Sequence, residues 1–258
     1  MLNIECSVIT YIGLVRSNNE DNYYVNGKYK TDSSVATEGY VDTAHRDSYL
    51  YAVCDGMGGE KYGELASMIA VQTLAQYQST DICQTINKYI NNANKFICEE
   101  IKKNNGVRSG TTLALLYIRN NKAISYNIGD SRIYFFRDGD LYLMSDDHTE
   151  AQRLVKIGAL NQEDASKHKS RNMLTQHLGI SPDELIIEPY VSEVVKLKKN
   201  DILLLCSDGL TDMVSDDDIA DILWQSDAST TDLVKELAAN TQANGGKDNA
   251  TIIVIKVV

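Results

Sequence analysis

The stretch YAVCDGMGGE, at residues 51–60, ends an apolar run with a carboxylate. The run Tyr49–Cys54 predicts a buried strand, since aromatic and aliphatic residues follow one another without a polar break. Asp55 comes directly after it, and three of the next four residues are glycines. Asp and Gly are common turn formers, but glycine also lets a ligand approach the backbone closely. The stretch therefore predicts either a plain turn or part of a site.

Further carboxylates stand in the same setting, at strand ends or in tight turns. They occur in ILLLCSDG (202–209), ISYNIGD (124–130), GGKDN (245–249) and NNED (18–21). One such turn, like Asp138-Gly139 between two strands, needs no function to explain it. Two of the preceding strands, however, are too apolar to lie at a sheet edge. If these strands are central and adjacent, their ends converge and the carboxylates meet in one cleft.

Carboxylates gathered in one cleft point to metal-assisted phosphate chemistry. Because like charges repel, several carboxylates need cations nearby to stay ionised. Oxygen ligands without His or Cys favour Mg²⁺ or Mn²⁺ over zinc or copper. Two such ions can activate a bridging water and hold phosphoryl oxygens, so we predict phosphate-ester hydrolysis. Arg16 is on the right loop to hold the phosphate, although a solvated surface arginine is the alternative interpretation.

Composition narrows the class of protein. The chain has 258 residues, 43% hydrophobic and 24% charged, which fits one large globular domain. A net charge of −11 disfavours nucleic acid as a partner and a two-metal nuclease as the activity. No apolar run is long enough to cross a membrane, and the N-terminus lacks the basic flank of a signal peptide. Five cysteines without metal or disulfide spacing fit a reducing compartment, so we expect a cytoplasmic protein without membrane contact.

Hydrophobic periodicity predicts strands and helices in separate blocks, the pattern of an α+β domain. Residues 26–48 are polar and aperiodic, which predicts a surface insertion, and residues 149–180 predict broken helices. The remaining predicted helices are Glu64–Tyr77, Ile82–Ile101 (with an N-cap among Ser79, Thr80 and Asp81), Asp216–Trp224 and Thr230–Asn240. The remaining predicted strands are Leu2–Val8, Asn22–Val25, Thr111–Arg119, Lys122–Ile128, Arg132–Arg137, Asp140–Met144, Leu185–Val191, Ile202–Cys206 and Thr251–Val258.

Eight motifs follow one another along nearly the whole chain. They are GLVRSNNEDNYY (13–24), YAVCDGMGGEKYGELAS (51–67), SGTTLAL (109–115), YNIGDSRIYFFRDG (126–139), MSDDHT (144–149), GAL…RNMLTQHLG (158–179), LLLCSDGLTD (203–212) and GGKDNATIIVI (245–255). In this order they resemble the metal-dependent serine/threonine protein phosphatases of type 2C, specifically their compact bacterial branch. The resemblance implies a four-layer αββα sandwich, with two antiparallel sheets flanked by helices and a binuclear metal site at one end.

The resemblance also implies an activity and its partners. The chain would hydrolyse phosphoserine and phosphothreonine in phosphorylated proteins, with two core Mn²⁺ or Mg²⁺ ions and a third, weaker one. Its activity would oppose a bacterial serine/threonine kinase, and we expect it to act as a monomer. Residues 150–180 match a mobile flap that tunes access to the active site.

Residue by residue, the resemblance assigns Asp55 to bridge both core ions, with the Gly56 carbonyl on one of them. Asp208 and Asp248 would ligate the first ion. The other implied roles go to Asp21 and Glu20 at the second ion, to Asp130 with Asp208 at the third (Asp212 being a further candidate), and to Arg16 at the substrate phosphate.

The chain departs from the family pattern in two places. Eukaryotic members usually carry His after the Asp-Gly pair, whereas this chain has Met57, so no side chain is assigned to protonate the leaving oxygen. The linker from Asp21 to Asp55 is also longer than compact bacterial members need, which leaves 26–48 without an explanation. Asp147-His148 resembles an acid/base pair, but a hydrogen-bonded structural role is the better interpretation because it does not end a strand at the cleft.

Three other functions are weaker alternatives. A cysteine-based phosphatase needs Arg six positions after its Cys, and none of the five cysteines has one. A calcium-binding EF-hand is disfavoured because Asp216-Asp217-Asp218 lacks the required Gly and terminal Glu. A pseudophosphatase that binds a partner without turnover would be expected to lose core aspartates, which are all present here.

Overall fold

The computed structural model describes residues 3–32, 37–58, 62–78, 81–104, 106–225 and 228–258. The strands are β1 (Ile4–Tyr11), β2 (Asn22–Val25), β3 (Lys28–Tyr29), β4 (Thr37–Asp42), β5 (Ser48–Cys54), β6 (Gly56–Met57), β7 (Gly110–Thr111), β8 (Leu113–Arg119), β9 (Lys122–Ile128), β10 (Arg132–Arg137), β11 (Asp140–Leu143), β12 (Tyr190–Val191), β13 (Val195–Lys196), β14 (Ile202–Cys206) and β15 (Ala250–Val257). The helices are α1 (Gly63–Ala75), α2 (Ile82–Lys103), α3 (Glu150–Lys156), α4 (Gln162–Ala165), α5 (Asp208–Thr211), α6 (Asp216–Leu223) and α7 (Thr230–Ala243). No helix in those ranges is both long enough and apolar enough to span a membrane.

Two antiparallel sheets form the centre of the molecule. Sheet one has the strand order β11-β10-β14-β15-β1-β4, and sheet two the order β12-β9-β8-β5-β2-β3, with β13 also pairing with β9. Helices α1 and α2 pack on the outer face of sheet two, and α5, α6 and α7 pack on the outer face of sheet one. The predicted α+β fold, a four-layer αββα sandwich, is confirmed.

Alternate residues of the central strands enter different cores, which fixes the strands from both sides. In β14, Leu203 and Leu205 point between the sheets, whereas Leu204 and Cys206 pack toward the helices. Strand β5 divides its residues between the inter-sheet core and the α1–α2 core in the same way. A strand buried on both faces is apolar throughout, which is why these two stretches have no alternation. The residues that follow these two strands are therefore attached to rigid backbone.

The prediction for residues 26–48 needs correction. This segment supplies β3 and β4, which add an edge strand to each sheet, and Tyr40 packs against the inter-sheet core. Residues 33–36 of the predicted insertion lie outside the described residues. The strand was not predicted because an edge strand buries little, and Tyr40 is the one apolar side chain of β4 that packs inward while its neighbour Val41 is 48% exposed.

Other boundaries differ locally. The predicted strand Thr111–Arg119 is divided at Thr112, and of Leu185–Val191 only Tyr190–Val191 pairs with another strand. The predicted broken helices of 149–180 are the short α3 and α4, followed by turns and single bridges. The two-residue turns at Asn120-Asn121 and Asp138-Gly139 are confirmed by positive φ angles at all four residues. Asp81 caps α2, whereas Ser79 and Thr80 lie outside the described residues.

Candidate active site

Strand ends bring the predicted carboxylates to one side of the sandwich. Strands β2 and β5 pair antiparallel, so Asp21, just before β2, and Asp55, just after β5, lie at the same end of sheet two. Strands β14 and β15 do the same for Asp208 and Asp248 in sheet one. A cleft of about 640 Å³ opens there, which we call the acidic cleft. Its lining includes the predicted site residues Arg16, Glu20, Asp55, Gly56, Asp130, Asp208 and Asp248.

Asp21 lies beneath the acidic cleft and is fully buried. Its Oδ2 accepts hydrogen bonds from the hydroxyls of Ser207, at 2.7 Å, and Thr251, at 2.8 Å. Its Oδ1 has no hydrogen-bond partner among the described residues. Buried polar atoms in folded proteins are nearly always paired, so an unpaired carboxylate oxygen requires an explanation. A cation in the cleft is the explanation that fits the ligand chemistry.

A polar network that was not predicted from the sequence holds Asp21 from behind. Thr251 Oγ1 contacts Thr10 Oγ1, which in turn accepts from the amide of Asn19. The amine of Lys30, a fully buried lysine, donates to the Asn19 carbonyl at 2.7 Å. Asn19 Oδ1 accepts from the Asp21 backbone N–H. The segment 26–48 thus contributes a residue to the support of the site.

Asp55 and Gly56 are held by backbone contacts. The Asp55 N–H donates to Thr112 Oγ1 and its carbonyl accepts from the Thr112 N–H, both at 2.9 Å. A Cβ on Gly56 would lie 2.3 Å from the Gly63 carbonyl oxygen and 2.5 Å from that of Glu20. No side chain fits between those two backbones, so glycine is required at position 56.

The acidic cleft holds more carboxyl groups than can ionise together without a cation. Burial, followed by repulsion from Asp21, Asp208 and other carboxylates, raises the pKa of Asp55 well above its ordinary value. Burial and repulsion from Asp130 do the same to the pKa of Asp208. The pKa of Asp130 is raised to about 7, first by burial and then by Asp147. Only added positive charge would let these groups ionise together.

Arg16 lies at the cleft but contacts a carboxylate of its own chain. Its guanidinium donates to Asp248 Oδ2 at 2.6 Å, while Asp248 Oδ1 accepts from the Asn249 N–H at 2.8 Å. Both side chains remain partly exposed, at 55% and 38%. Both oxygens of Asp248 are therefore engaged, and Arg16 faces the region where its predicted phosphate would bind.

Asn249 joins the two loops that border the cleft. Its amide donates to the carbonyls of Ile12 and Asn18, and its Oδ1 accepts from the Glu20 N–H at 2.8 Å. Sequence reasoning gave no role to this residue, although it stands next to Asp248 in the last motif. Its residue type was the available signal, since an asparagine side chain can both donate to and accept from backbone groups of another loop. Glu20 is thereby fixed at the backbone, and burial raises its pKa.

The predicted flap segment 150–180 borders the cleft. Both terminal nitrogens of the Arg171 guanidinium donate to Asp212, each at 3.0 Å, and Asn172 donates to the same carboxylate. Asp212 is thus paired with this segment in the structure. A further cavity of about 500 Å³ lies between the segment and helices α5 and α6, and Asp130 lines both this cavity and the acidic cleft.

Asp147 and His148 have structural contacts, as we favoured. The guanidinium of Arg132 holds Asp147 through Nε and an NH₂ group. The Gly129 N–H donates to His148 Nδ1 at 3.2 Å. Burial lowers the pKa of His148, which keeps the ring neutral and able to accept that bond.

The carboxylates share a cleft but do not converge on one point. Across the described ranges, no group of three or more His, Cys, Asp or Glu side chains is arranged to hold one ion. The donor chemistry and the unpaired Asp21 oxygen fit a hard divalent cation, whereas Asp248 is turned toward Arg16. An ion that bound here would have to draw the side chains together.

Known proteins that resemble the chain are phosphatases. A family model described as protein phosphatase 2C matches residues 31–250. Protein phosphatase PhpP of Streptococcus pneumoniae is 35% identical over 262 residues, which cover 98% of each chain. The serine/threonine phosphatase of S. agalactiae superposes with a TM-score of 0.84 at 30% identity, covering 99% of this chain and 100% of that one. The catalytic domain of PstP in complex with two manganese ions gives 0.79 at 29% identity, with full coverage of both chains.

Proposed function

Since the chain belongs to the protein phosphatase 2C family, we propose that it hydrolyses phosphoserine and phosphothreonine esters of proteins with two Mn²⁺ or Mg²⁺ ions bound in the acidic cleft. The relatives that match nearly the whole of this chain are serine/threonine phosphatases, and the chain is an enzyme of that class. The two-manganese complex of PstP supports the choice and number of ions.

One observation carries the metal part of the proposal. The acidic cleft gathers carboxylates that raise one another's pKa, above a buried Asp21 whose Oδ1 has no partner among the described residues. A site of this kind lacks positive charge and has an oxygen ready to supply to a cation. A cleft built only for protein contact would have no reason to bury a half-paired carboxylate.

The residues divide the proposed work as follows. Asp55, between the ends of both sheets, and the carbonyl of Gly56 would hold the core ions, together with Asp208, Asp248 and Asp21. When bound, two such ions activate water and neutralise the phosphoryl oxygens. The remaining proposed roles are those of Glu20, as a direct or water-mediated ligand of the second ion, and of Asp130, as a ligand of a third, weaker one.

Arg16 would orient the substrate. Its fork of N–H donors matches two phosphoryl oxygens, and it already stands at the mouth of the cleft against Asp248. A phosphate that replaced Asp248 as its partner would free that carboxylate for a cation. Substrate binding and ion binding would then assist each other.

The departing serine or threonine oxygen needs a proton. Met57 cannot supply one, and His177, which lines the cleft, is kept neutral because burial lowers its pKa. We propose that water supplies the proton. A side chain that donates this proton would lose activity as it deprotonates, so a pH–rate profile without an alkaline limb would support water over a side chain.

The setting of the enzyme is also proposed. Its substrates would be made by a bacterial serine/threonine kinase, and the enzyme would act in the cytoplasm as a monomer. Its net charge of −11 continues to disfavour nucleic acid. The alternative, a catalytically weak binding module of the same fold, is less well supported because Asp21, Asp55, Asp208 and Asp248 are all retained at the cleft.

The decisive experiment is hydrolysis of a phosphothreonine peptide with Mn²⁺, with EDTA, and by the variant Asp208→Asn. We expect turnover with Mn²⁺, its loss in EDTA, and a decrease of about 10³-fold in the variant, since several kcal/mol of charge stabilisation disappear. Turnover that survives EDTA or the substitution contradicts the metal mechanism. No turnover with any divalent cation favours the binding module.

A further inference from the structure

A second cavity of about 310 Å³ lies beside the acidic cleft and shares Met57, Gly58 and His177 with it. We call it the side pocket. Its other walls include apolar side chains from the C-terminal half of α2 and from the segment after Leu178, namely Ile101, Ile180 and Pro182. The acidic cleft is walled by carboxylates, so the two cavities differ in chemistry while forming one continuous surface.

The far wall of the side pocket is firmly anchored. Leu178 and Thr111 exchange two backbone hydrogen bonds, of 2.9 and 3.0 Å. The side chain of Asn94, on α2, accepts from the Gly179 N–H at 2.6 Å and donates to the Ile180 carbonyl at 2.9 Å. The wall is thus tied both to a strand that borders the acidic cleft and to a long helix. A pocket held in this way is preformed, as ligand pockets usually are.

The charges at the rim of the side pocket contrast with those at the cleft. Arg16, which lines the cleft, is paired with Asp248, and Arg171, in the neighbouring cavity, is paired with Asp212. Lys102 and Arg108 are exposed at the rim, and neither has an ion-pair partner within the described residues. Glu184 is the acidic residue among the lining residues. On a chain of net charge −11, two unpaired cations beside an apolar pocket favour an acidic, partly apolar ligand.

We propose that the side pocket binds an apolar side chain of the phosphoprotein substrate, close in sequence to the phosphorylated residue, with an acidic residue of the same segment at Lys102 and Arg108. This inference rests on the proposed function and defines the substrate class. Continuity with the acidic cleft supports it, because a segment with its phosphate at Arg16 must leave the cleft over some part of the rim. The exit past Met57 offers the preformed apolar cavity.

The proposal gives Met57 a role in contacting the substrate. It lines both cavities. A thioether is flexible and polarisable, and suits a wall that must adapt to different side chains. The residue would then select substrates by contact and take no part in the proton transfer.

The test compares substrates that differ only outside the phosphate. A phosphothreonine peptide with acidic flanks would carry leucine, in turn, at each of the three positions on either side. We expect one position to raise kcat/KM by about 10- to 100-fold over serine there, mainly through KM. The small ester p-nitrophenyl phosphate, which cannot reach the side pocket, serves as the internal control.

Two variants examine the pocket directly. Ile180→Ser should lower kcat/KM for the preferred peptide about 10-fold and remove the preference for leucine, with p-nitrophenyl phosphate unchanged. Lys102→Glu with Arg108→Glu should abolish the preference for acidic flanks. Lys88→Glu, which makes half of that charge change at an exposed site on α2 about 21 Å along the helix from Lys102, is the control and should change nothing.

The outcomes separate this inference from the proposed function. Failure to hydrolyse p-nitrophenyl phosphate with Mn²⁺ would count against the proposed function, and peptide binding measured by fluorescence anisotropy would still test the side pocket. Equal losses on peptide and small ester in Ile180→Ser, or no preference for leucine at any position, would overturn the inference. So would equal binding of the peptide without its phosphate, since the pocket would then serve a partner other than the substrate.

Discussion

Asp21 lies beneath the acidic cleft and Asp248 lines it, and the two carboxylates are held in opposite ways. Asp21 is fully buried, with two hydroxyl groups on one oxygen and the other oxygen without a partner among the described residues. Asp248 is partly exposed, and both of its oxygens are engaged by Arg16 and by the Asn249 N–H. One carboxylate is fixed before any ligand binds, whereas the other must exchange a partner.

The contrast suggests that the two carboxylates contribute differently to ion binding. A fixed carboxylate lowers the reorganisation needed to bind an ion, at the expense of burying charge. The charge of a carboxylate paired with an arginine is already balanced. Such a carboxylate becomes a metal ligand only when the arginine binds another anion. Substitutions that act on one side and spare the other should separate these two behaviours.

The largest effect is expected on the side of Asp248. Arg16→Ala removes the proposed phosphate-binding group, so kcat/KM for a phosphopeptide should fall by about 10- to 100-fold, the worth of a charge-assisted hydrogen bond. Because the same change releases Asp248, the affinity for Mn²⁺, measured by calorimetry, should be unchanged or higher. Arg119→Ala, which removes a surface pair with Asp81, is the control. A weaker affinity for Mn²⁺ would mean that Arg16 supports Asp248 and does not compete for it.

On the side of Asp21, Thr251→Val removes one of the two hydroxyl donors while keeping the shape of the side chain. Loss of a group that orients a metal ligand typically weakens metal binding by about 10-fold or more. We expect that loss in Mn²⁺ titrations, with turnover recovering at high Mn²⁺. Thr241→Val, where a buried hydroxyl bonds to its own helix, controls for stability alone. Equal Mn²⁺ affinities in the two variants would remove the distinction drawn between Asp21 and Asp248.

A smaller effect is expected from the network behind Asp21. Lys30→Met removes the donor to the Asn19 carbonyl and leaves that buried group short of a partner. The free energy of unfolding should decrease by about 1–3 kcal/mol, which chemical denaturation measures. Lys28→Met, exposed on the same hairpin, should have no effect. If both variants unfold alike, Lys30 is not part of the support of Asp21.

The smallest effect should come from His148, which contacts neither carboxylate. Because burial lowers its pKa, the unfolded chain binds a proton there at a pH where the folded protein does not. This contribution to stability is therefore present above the ordinary pKa of about 6.5 and is lost as the pH falls below it. In EDTA, Tm should fall slightly less between pH 7 and pH 5 in His148→Gln than in the original protein. A steeper fall in the variant would contradict a neutral, accepting His148.

Two of the predicted site residues follow a strong local signal, whereas the roles of the others came from the family resemblance. Asp55 and Asp208 each come soon after a strand that is buried on both faces. Such strands can be recognised in a sequence as unbroken apolar runs. Lys30 gave no such signal, because a lysine in a polar stretch is ordinarily exposed. Its burial depends on a carbonyl that only the folded chain brings near.

Contacts between distant parts of the chain could likewise not be predicted from the sequence. Arg16 was predicted to face phosphate, and its partner Asp248 is 232 positions away. The side pocket joins Met57, the end of α2 and the segment after Leu178, three pieces without a shared pattern. Periodicity reports what one element buries, whereas pairing across elements depends on packing that a single sequence does not encode locally.

Strand β4 has a consequence for the exposed edge of sheet one. It lies on the outer side of β1, whose other neighbour is β15, so it covers hydrogen-bonding groups that would otherwise form the edge of sheet one. An uncovered edge on a long, apolar strand is a template for pairing with another chain. Residues 37–42 therefore occupy the edge of β1 at which another chain could otherwise pair. Removing them would leave the backbone groups on that side of β1 open to pairing with another chain.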